Sequence, residues 1–161
     1  MEDAGQQIRL LLLTDSTSID TSEDLQPIHC TLTTWAFIKE SLPPAYTAVS
    51  YTWGDTSSQR VLYINGARLS IRHNCWYVLL QALRQGLARR YPWIDSICID
   101  QQNLTEKSSQ VSMMGEIYGS AAHVNFCLGQ GNEETDLLFD CIQEYAAYIH
   151  EHEYANDFFD P

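Results

Sequence analysis

Basic residues are scarce in this chain. Its 161 residues include 9 Lys and Arg against 21 Asp and Glu, a formal charge of −12. A surface with that balance repels phosphate backbones and anionic headgroups, so nucleic acid and anionic membrane are poor candidate partners. Paired cysteines are also lacking. The five (Cys30, Cys75, Cys98, Cys127, Cys141) are odd in number, and they form no CxxC pair and keep no fixed spacing to histidine. That argues against a disulfide framework or a zinc site and fits a reducing compartment. His29, His73 and His123 stand alone, and His150 and His152 do not face each other at i, i+2, so no metal site is expected.

Long hydrophobic runs are missing too. The run Ile8 to Leu13 is broken by Arg9, is too short for a bilayer, and lacks the basic start and cleavage site of a signal peptide. The expectation is a soluble, cytoplasmic protein without membrane insertion. No repeat, low-complexity tract or Gly/Ser linker divides the chain. The longest polar stretch is Asp15 to Asp24, so one domain over 1–161, with a core of about 8–150, is the simplest reading.

What is present is 45% hydrophobic and 11% aromatic residues, enough for a packed core. Ile8–Leu13 and Ile28–Leu32 read as early strands, Thr34–Ser41 as ambiguous, and Ala45–Tyr51 as a strand entering the turn Thr-Trp-Gly-Asp. Val61–Ile64 and Ala67–Ile71 flank Asn65-Gly66, the signature of a type I′ hairpin. Trp76, Leu79, Leu80, Leu83 and Leu87 fall at helical spacing, with Asn74 as N-cap and Gly86 near the stop. Trp93–Asp100 (WIDSICID) is apolar on both alternating faces, as a central parallel strand would be.

Asn103 and Glu106 stand in capping-box register before a helix whose core side is expected at Val111, Met114 and Tyr118, flanked by Met113 and Ile117. Val124–Leu128 is a further strand. A last helix runs from Glu133 to about His150 with the stripe Leu138, Cys141, Ile142, Tyr145 and Ile149. The order predicts an α/β fold with a mostly parallel central sheet flanked by helices, in flavodoxin-like order, with an added β-hairpin and N-terminal strands.

Ligands of open parallel sheets bind beyond the carboxyl ends of the strands. The first loop there offers Tyr51, Trp53, Gly54 and Asp55. The second offers Asp100, Gln101 and Gln102, with Glu106 and Gln110 one turn apart on the next helix, and the third offers Gly129, Gly131, Glu133 and Glu134. Gly129–Gly131 is no dinucleotide fingerprint, since GxGxxG is absent. Asp95 is the hardest side chain to place, because a carboxylate in an apolar strand costs several kcal/mol unless hydrogen-bonded. A structural hydrogen bond to a neighbouring loop is its plain expectation, a turn for Asp100, a capping box for Glu106, and an inert buried thiol for Cys98.

Taken together, AVSYTWGD (Ala48–Asp55, with Tyr46 upstream), INGARLSIRHN (Ile64–Asn74), WIDSICIDQ (Trp93–Gln101), EKSSQVSMMGEIYGSA (Glu106–Ala121) and VNFCLG (Val124–Gly129) resemble the fungal heterokaryon incompatibility (HET) domain. This chain has Asp100 where the family usually has Asn, Cys127 where it usually has Trp, and Asp136-Leu137 where it often has Asp-Ser. The resemblance implies non-self recognition and programmed cell death, through a protein partner or self-association. The family is in turn distantly similar to Toll/interleukin-1 receptor (TIR) domains, in which a strand ending in Ser-Tyr precedes a Gly-Asp loop, as Ser50, Tyr51, Gly54 and Asp55 do here. Some TIR domains cleave NAD with a helical glutamate. Glu106, by its membership of the HET motif, and Asp100 are the catalytic candidates, with Glu133 the alternative by TIR element order. Tyr51, Trp53, Gly54, Asp55, Asp95, Gln101 and Gln110 are the ligand-binding candidates. No cofactor is expected beyond NAD as a substrate.

Overall fold

The computed structural model describes residues 6–13, 27–38, 41–84, 91–129 and 131–156. The polar stretch Asp15–Asp24 and the stop signal Gly86 lie outside them. The chain divides into two compact units, Met1–Cys127 and Leu128–Pro161.

Among the described residues the first unit holds seven strands in two sheets. β1 (Gln7–Leu13), β2 (Ile28–Ala36), β4 (Gln59–Ile64) and β5 (Ala67–Arg72) form a mixed sheet in the order β1-β2-β4-β5. β1 runs antiparallel to β2 from Gln7↔Ala36 to Leu13↔Cys30, and β2 runs parallel to β4 from Ile28↔Leu62 to Cys30↔Ile64. β3 (Thr47–Tyr51) lies between β6 (Pro92–Trp93) and β7 (His123–Cys127) in a parallel sheet ordered β6-β3-β7. The α/β class is thus as expected, but the all-parallel sheet is small, with β6, β3 and β7 alone, and the N-terminal strands join the hairpin in a second, mixed sheet.

The hairpin forms where Asn65-Gly66 predicts it. Asn65 and Gly66 take φ of 51° and 80°, the left-handed values a type I′ turn needs. Asn65 also extends the sheet, its Oδ1 accepting from Leu32 N at 3.0 Å and its Nδ2 donating to Leu32 O at 3.2 Å. The following helix α1 (His73–Arg84) buries Cys75, Trp76, Val78, Leu79, Leu80 and Ala82. Asn74 does not cap it. The helix begins one residue earlier, and the Asn74 amide instead donates to Thr52 O at 2.9 Å.

The segment 93–100 corrects the sequence reading most. Only Trp93 and its predecessor are strand, at the edge of the parallel sheet and not its centre. Asp95–Cys98 then coil into a single helical turn, α2, with Cys98 N donating to Ile94 O and Ile99 N to Asp95 O. Ile94, Ile97, Cys98 and Ile99 are all buried. The pattern at i, i+3 and i+4 serves a turn of helix as well as alternation serves a strand, so the apolar pattern alone did not discriminate.

Asn103 caps α3 (Leu104–Ser112), its Oδ1 accepting from Glu106 N. A break at Met113 leads into α4 (Met114–Gly119). The buried side of this pair is Glu106, Gln110, Met113 and Ile117, whereas Val111 is exposed. The expected Val111–Met114–Tyr118 side is therefore rotated toward a stripe carrying two polar residues. Family-motif aromatics do core work nearby. Trp93 is fully buried edge-to-face on Tyr118 at 5.6 Å, and the Tyr46 hydroxyl donates to Ile117 O.

The second unit contains α5 (Glu133–Asn156), with Glu133, Glu134 and Asp136 in its first turn, where acids offset the helix dipole. Asn132 caps it by accepting from Thr135 N at 2.9 Å. Among the described residues of this unit, α5 has no second helix or strand to cover the stripe Leu138, Cys141, Ile142, Tyr145 and Ile149.

Candidate functional site

Because β6, β3 and β7 are parallel, their carboxyl ends share one side of the small sheet, and the segments leaving β3 and β6 meet there. The loop after β3 is held by residues at the junction of β5 and α1. Arg72 Nη1 donates to Gly54 O at 3.0 Å and Asn74 to Thr52 O. Gly54 takes φ of +73°, and a Cβ there would lie 2.5 Å from Asn74 Nδ2. Both the backbone angle and the close approach call for glycine.

This anchored loop presents Trp53 to the turn after β6. Its indole N–H donates to Asp95 Oδ2 at 3.0 Å and Oδ1 at 3.2 Å. The Arg72 guanidinium carbon sits 5.2 Å from the centre of the Trp53 ring. The electron-rich ring face thus meets a cation and its electropositive N–H edge meets a carboxylate. Asp95 Oδ1 further accepts from Ser96 N at 2.7 Å. Ser96 Oγ shares a hydrogen bond with Tyr51 Oη at 2.6 Å and lies 3.4 Å from Cys75 Sγ. Burial pushes the Asp95 carboxyl above its ordinary value, against the lowering effect of the Trp53 and Ser96 hydrogen bonds. Burial likewise raises the Tyr51 hydroxyl and the Cys75 thiol.

A second constellation surrounds Glu106, which is 5% exposed. Its carboxylate pairs with the Arg9 guanidinium and accepts from Asp100 N at 3.0 Å. Arg9 Nε also donates to Cys98 O at 2.8 Å, and Gln110 Nε2 donates to Gln7 O at 2.8 Å. The carboxylate half of the expected capping box is therefore redirected. Glu106 binds a cation from β1 and the backbone of the preceding loop, not the Asn103 N–H.

The sequence-derived candidates consequently separate. Tyr51, Trp53, Gly54 and Asp95 come together, and Gln101 Nε2 ties in by donating to Asp95 O at 2.9 Å. Asp100, Glu106 and Gln110 belong to the Arg9 cluster. The Asp100 side chain accepts from Gln102 N and Asn103 N, a turn-forming role. Asp55 is exposed and accepts from Ser57 N and Oγ, which hold its carboxyl below the ordinary value. Glu133 lies in the second unit.

Sequence reasoning missed Arg9, Arg72, Asn74, Cys75 and Ser96 as members of these clusters. Only Arg9 carried a signal, a lone charge interrupting the Ile8–Leu13 run. Among the described residues no group of three or more His, Cys, Asp or Glu could hold a metal ion, and no helix is long and apolar enough to cross a membrane.

These loops and the elements around them lie in the part of the chain that known proteins share. The family described as heterokaryon incompatibility protein (HET) matches residues 46–158, from just before β3 through α5. Heterokaryon incompatibility protein 6, OR allele, of Neurospora crassa is 35% identical over 116 residues, covering 65% of this chain and 17% of the relative. The chain thus spans less than a fifth of that relative's length. No solved structure matches it. β1 and β2 lie upstream of the family match, so Arg9 reaches the matched region from outside it. With the match covering more than half of its residues, the chain belongs to the heterokaryon incompatibility (HET) family.

Proposed function

We propose that this chain acts as a single HET module over 1–161 in fungal non-self recognition, working in the cytoplasm and triggering programmed cell death through self-association or a protein partner. The observation that carries this reading is the family match itself, because it spans the parallel sheet and both loops that build the site. The relative's printed name speaks for the same role. Expression of the chain in a compatible fungal strain tests it directly. Loss of viability is expected, accompanied by a mass above the monomer in size-exclusion chromatography with light scattering. Full viability together with a strict monomer and no captured partner would overturn it.

A second reading is favoured by one specific juxtaposition, the Asp95 carboxylate against Trp53 at the carboxyl ends of parallel strands. It is the TIR-like reading, an NAD glycohydrolase in which a carboxylate stabilises an oxocarbenium-like ribosyl centre beside an aromatic ring. Within it Asp95 is the carboxylate best placed, since Glu106 is engaged by Arg9 and Asp100 by its own turn. Incubation with NAD, with release of nicotinamide compared among wild type, Asp95→Asn, Asp100→Asn, Glu106→Gln and Glu133→Gln, decides it. Release abolished in Asp95→Asn supports the assignment, and no release at high protein concentration removes the enzyme reading.

A further inference from the structure

β5 is an outer strand of the mixed sheet, and among the described residues only β4 pairs with it. His73 N donates to Ser58 O just beyond the end of that pairing. Antiparallel pairing alternates, so Ala67, Leu69 and Ile71 bond across to β4 while Arg68 and Ser70 turn their N–H and C=O groups to the open side. Ala67, Arg68, Leu69 and Ser70 are all exposed, as residues of an uncovered edge are. Such an edge is a template for another strand.

Charge narrows the choice of strand. Positions 56–94 carry six arginines (Arg60, Arg68, Arg72, Arg84, Arg89 and Arg90) and no Asp or Glu, a formal +6 inside a chain of −12. Arg68 stands opposite Tyr63, which in turn stands opposite His29 and stacks on its ring at 4.8 Å. Arg68 is exposed and, like Arg60 and Arg72, forms no ion pair among the described residues. Arg72, held by Gly54 O and the Trp53 ring, adds a fixed positive charge at the far end of the strand. Two β5 edges brought together would set arginine against arginine, which disfavours a second copy of the same edge.

We infer that the β5 edge is a docking site for an extended acidic segment of a partner protein. The incoming strand bonds to the N–H and C=O groups of Arg68 and Ser70, and its alternate carboxylates face Arg68 and Arg72, which share one side of β5 with Ser70. A nucleic acid suits the edge less well. The overall −12 opposes a long polyanion, and a phosphate backbone has no N–H and C=O ladder with which to extend a sheet. The inference rests on the partner-binding function proposed above for its biological use and not for its geometry.

The test is titration of the full chain with a peptide of about six residues, the usual strand length, alternating Glu and Thr, against a counterpart with Gln in place of Glu. Saturable binding of the Glu peptide, about fivefold tighter than the Gln peptide at low salt, is expected. Amide hydrogen exchange read by NMR should slow at Arg68 and Ser70 and stay unchanged at Leu69 and Ile71, whose N–H groups are already bonded to β4. Arg68→Gln should remove the preference for Glu. Ser70→Pro, which deletes an N–H on the open side, should abolish binding of both peptides. Should Ser70→Pro fail to fold, two versions of the Glu peptide, N-methylated at the Glu or at the Thr residues, are titrated into wild type, and undiminished binding of both overturns strand addition. Equal affinity for the Glu and Gln peptides, no binding at millimolar concentration, or equally tight binding of a single-stranded oligonucleotide would also overturn the site. So would slowed exchange at Arg68 and Ser70 on concentrating the protein alone, which would give the edge to a second copy. Expression in the compatible strain separates the two claims. Peptide binding with full viability keeps the edge and counts against the cell-death role, whereas loss of viability without peptide binding removes the edge alone.

Discussion

Arg9 on β1 and Glu106 on α3 form an ion pair across 97 positions of sequence, and the same arginine donates to Cys98 O at the end of the α2 turn. One side chain therefore ties the N-terminal strand to both ends of the loop that carries Asp100. Glu106 is nearly sealed from water, and Arg9 is its ion-pair partner there.

Arg9→Met should destabilise the protein by about 3 kcal/mol, as removing one member of a buried pair strands the other. The double variant Arg9→Met/Glu106→Gln should recover part of that loss. Urea unfolding of both singles and the double gives the coupling directly. Additive losses would show that the pair contributes nothing as a pair.

Gly54→Ala should cost about 1–3 kcal/mol. The new methyl meets a left-handed backbone angle and the Asn74 amide, which can retreat only by giving up its bond to Thr52 O. The emission of Trp53, next along the loop, should shift as well. Thermal melts and tryptophan fluorescence measure both effects, and an unaltered melting temperature would contradict the geometry.

The raised Asp95 carboxyl makes a signed pH prediction. An acid whose folded value lies above its unfolded value binds more protons when folded, so stability is greatest below the unfolded value and falls as pH rises through the folded one. Asp95→Asn, which keeps the shape and can still accept the Trp53 N–H, removes this slope. Its stability relative to wild type should therefore increase with pH across the acidic range. Asp55, held low by Ser57, has the opposite sign, with its small contribution lost as pH falls. Denaturant titrations of the Asn variants at stepped pH check both directions.

Thiol reactivity should follow burial. Cys30 and Cys98 are pushed up to about 12 by desolvation, and Cys75 is also raised. Native protein treated with a disulfide reagent should label the exposed Cys141 fast and the half-buried Cys127 more slowly. Cys30, Cys75 and Cys98 should react only after denaturant is added. Peptide mapping of labelled sites distinguishes the classes.

Much of the architecture was legible because its causes are local. Asn65-Gly66 specifies positive φ whatever surrounds it, and the hairpin formed there. Asn103 accepts from an N–H three residues ahead, so its cap was readable too. Local signals failed where a distant partner competed for the same side chain. Asn74 has the chemistry of a cap, but its amide goes to Thr52 O, 22 residues away. Glu106 stands in capping register, yet its carboxylate goes to Arg9.

By itself the sequence determined the α/β class, most strand and helix positions, and membership of the HET family, since turn residues, periodicity and motif blocks act over a few neighbours. Tertiary structure alone decided the rest: that the strands divide into two sheets, that 95–98 is a helical turn, and that Asp95, not Glu106, meets Trp53. The physical reason is that a carboxylate's role is set by which donor reaches it. Strand order and sheet register bring those donors from as far as β1. The scarcity of basic residues sharpens the same point. Among the described residues Arg9 pairs with Glu106 and Arg72 covers Trp53, while Asp95 forms no ion pair.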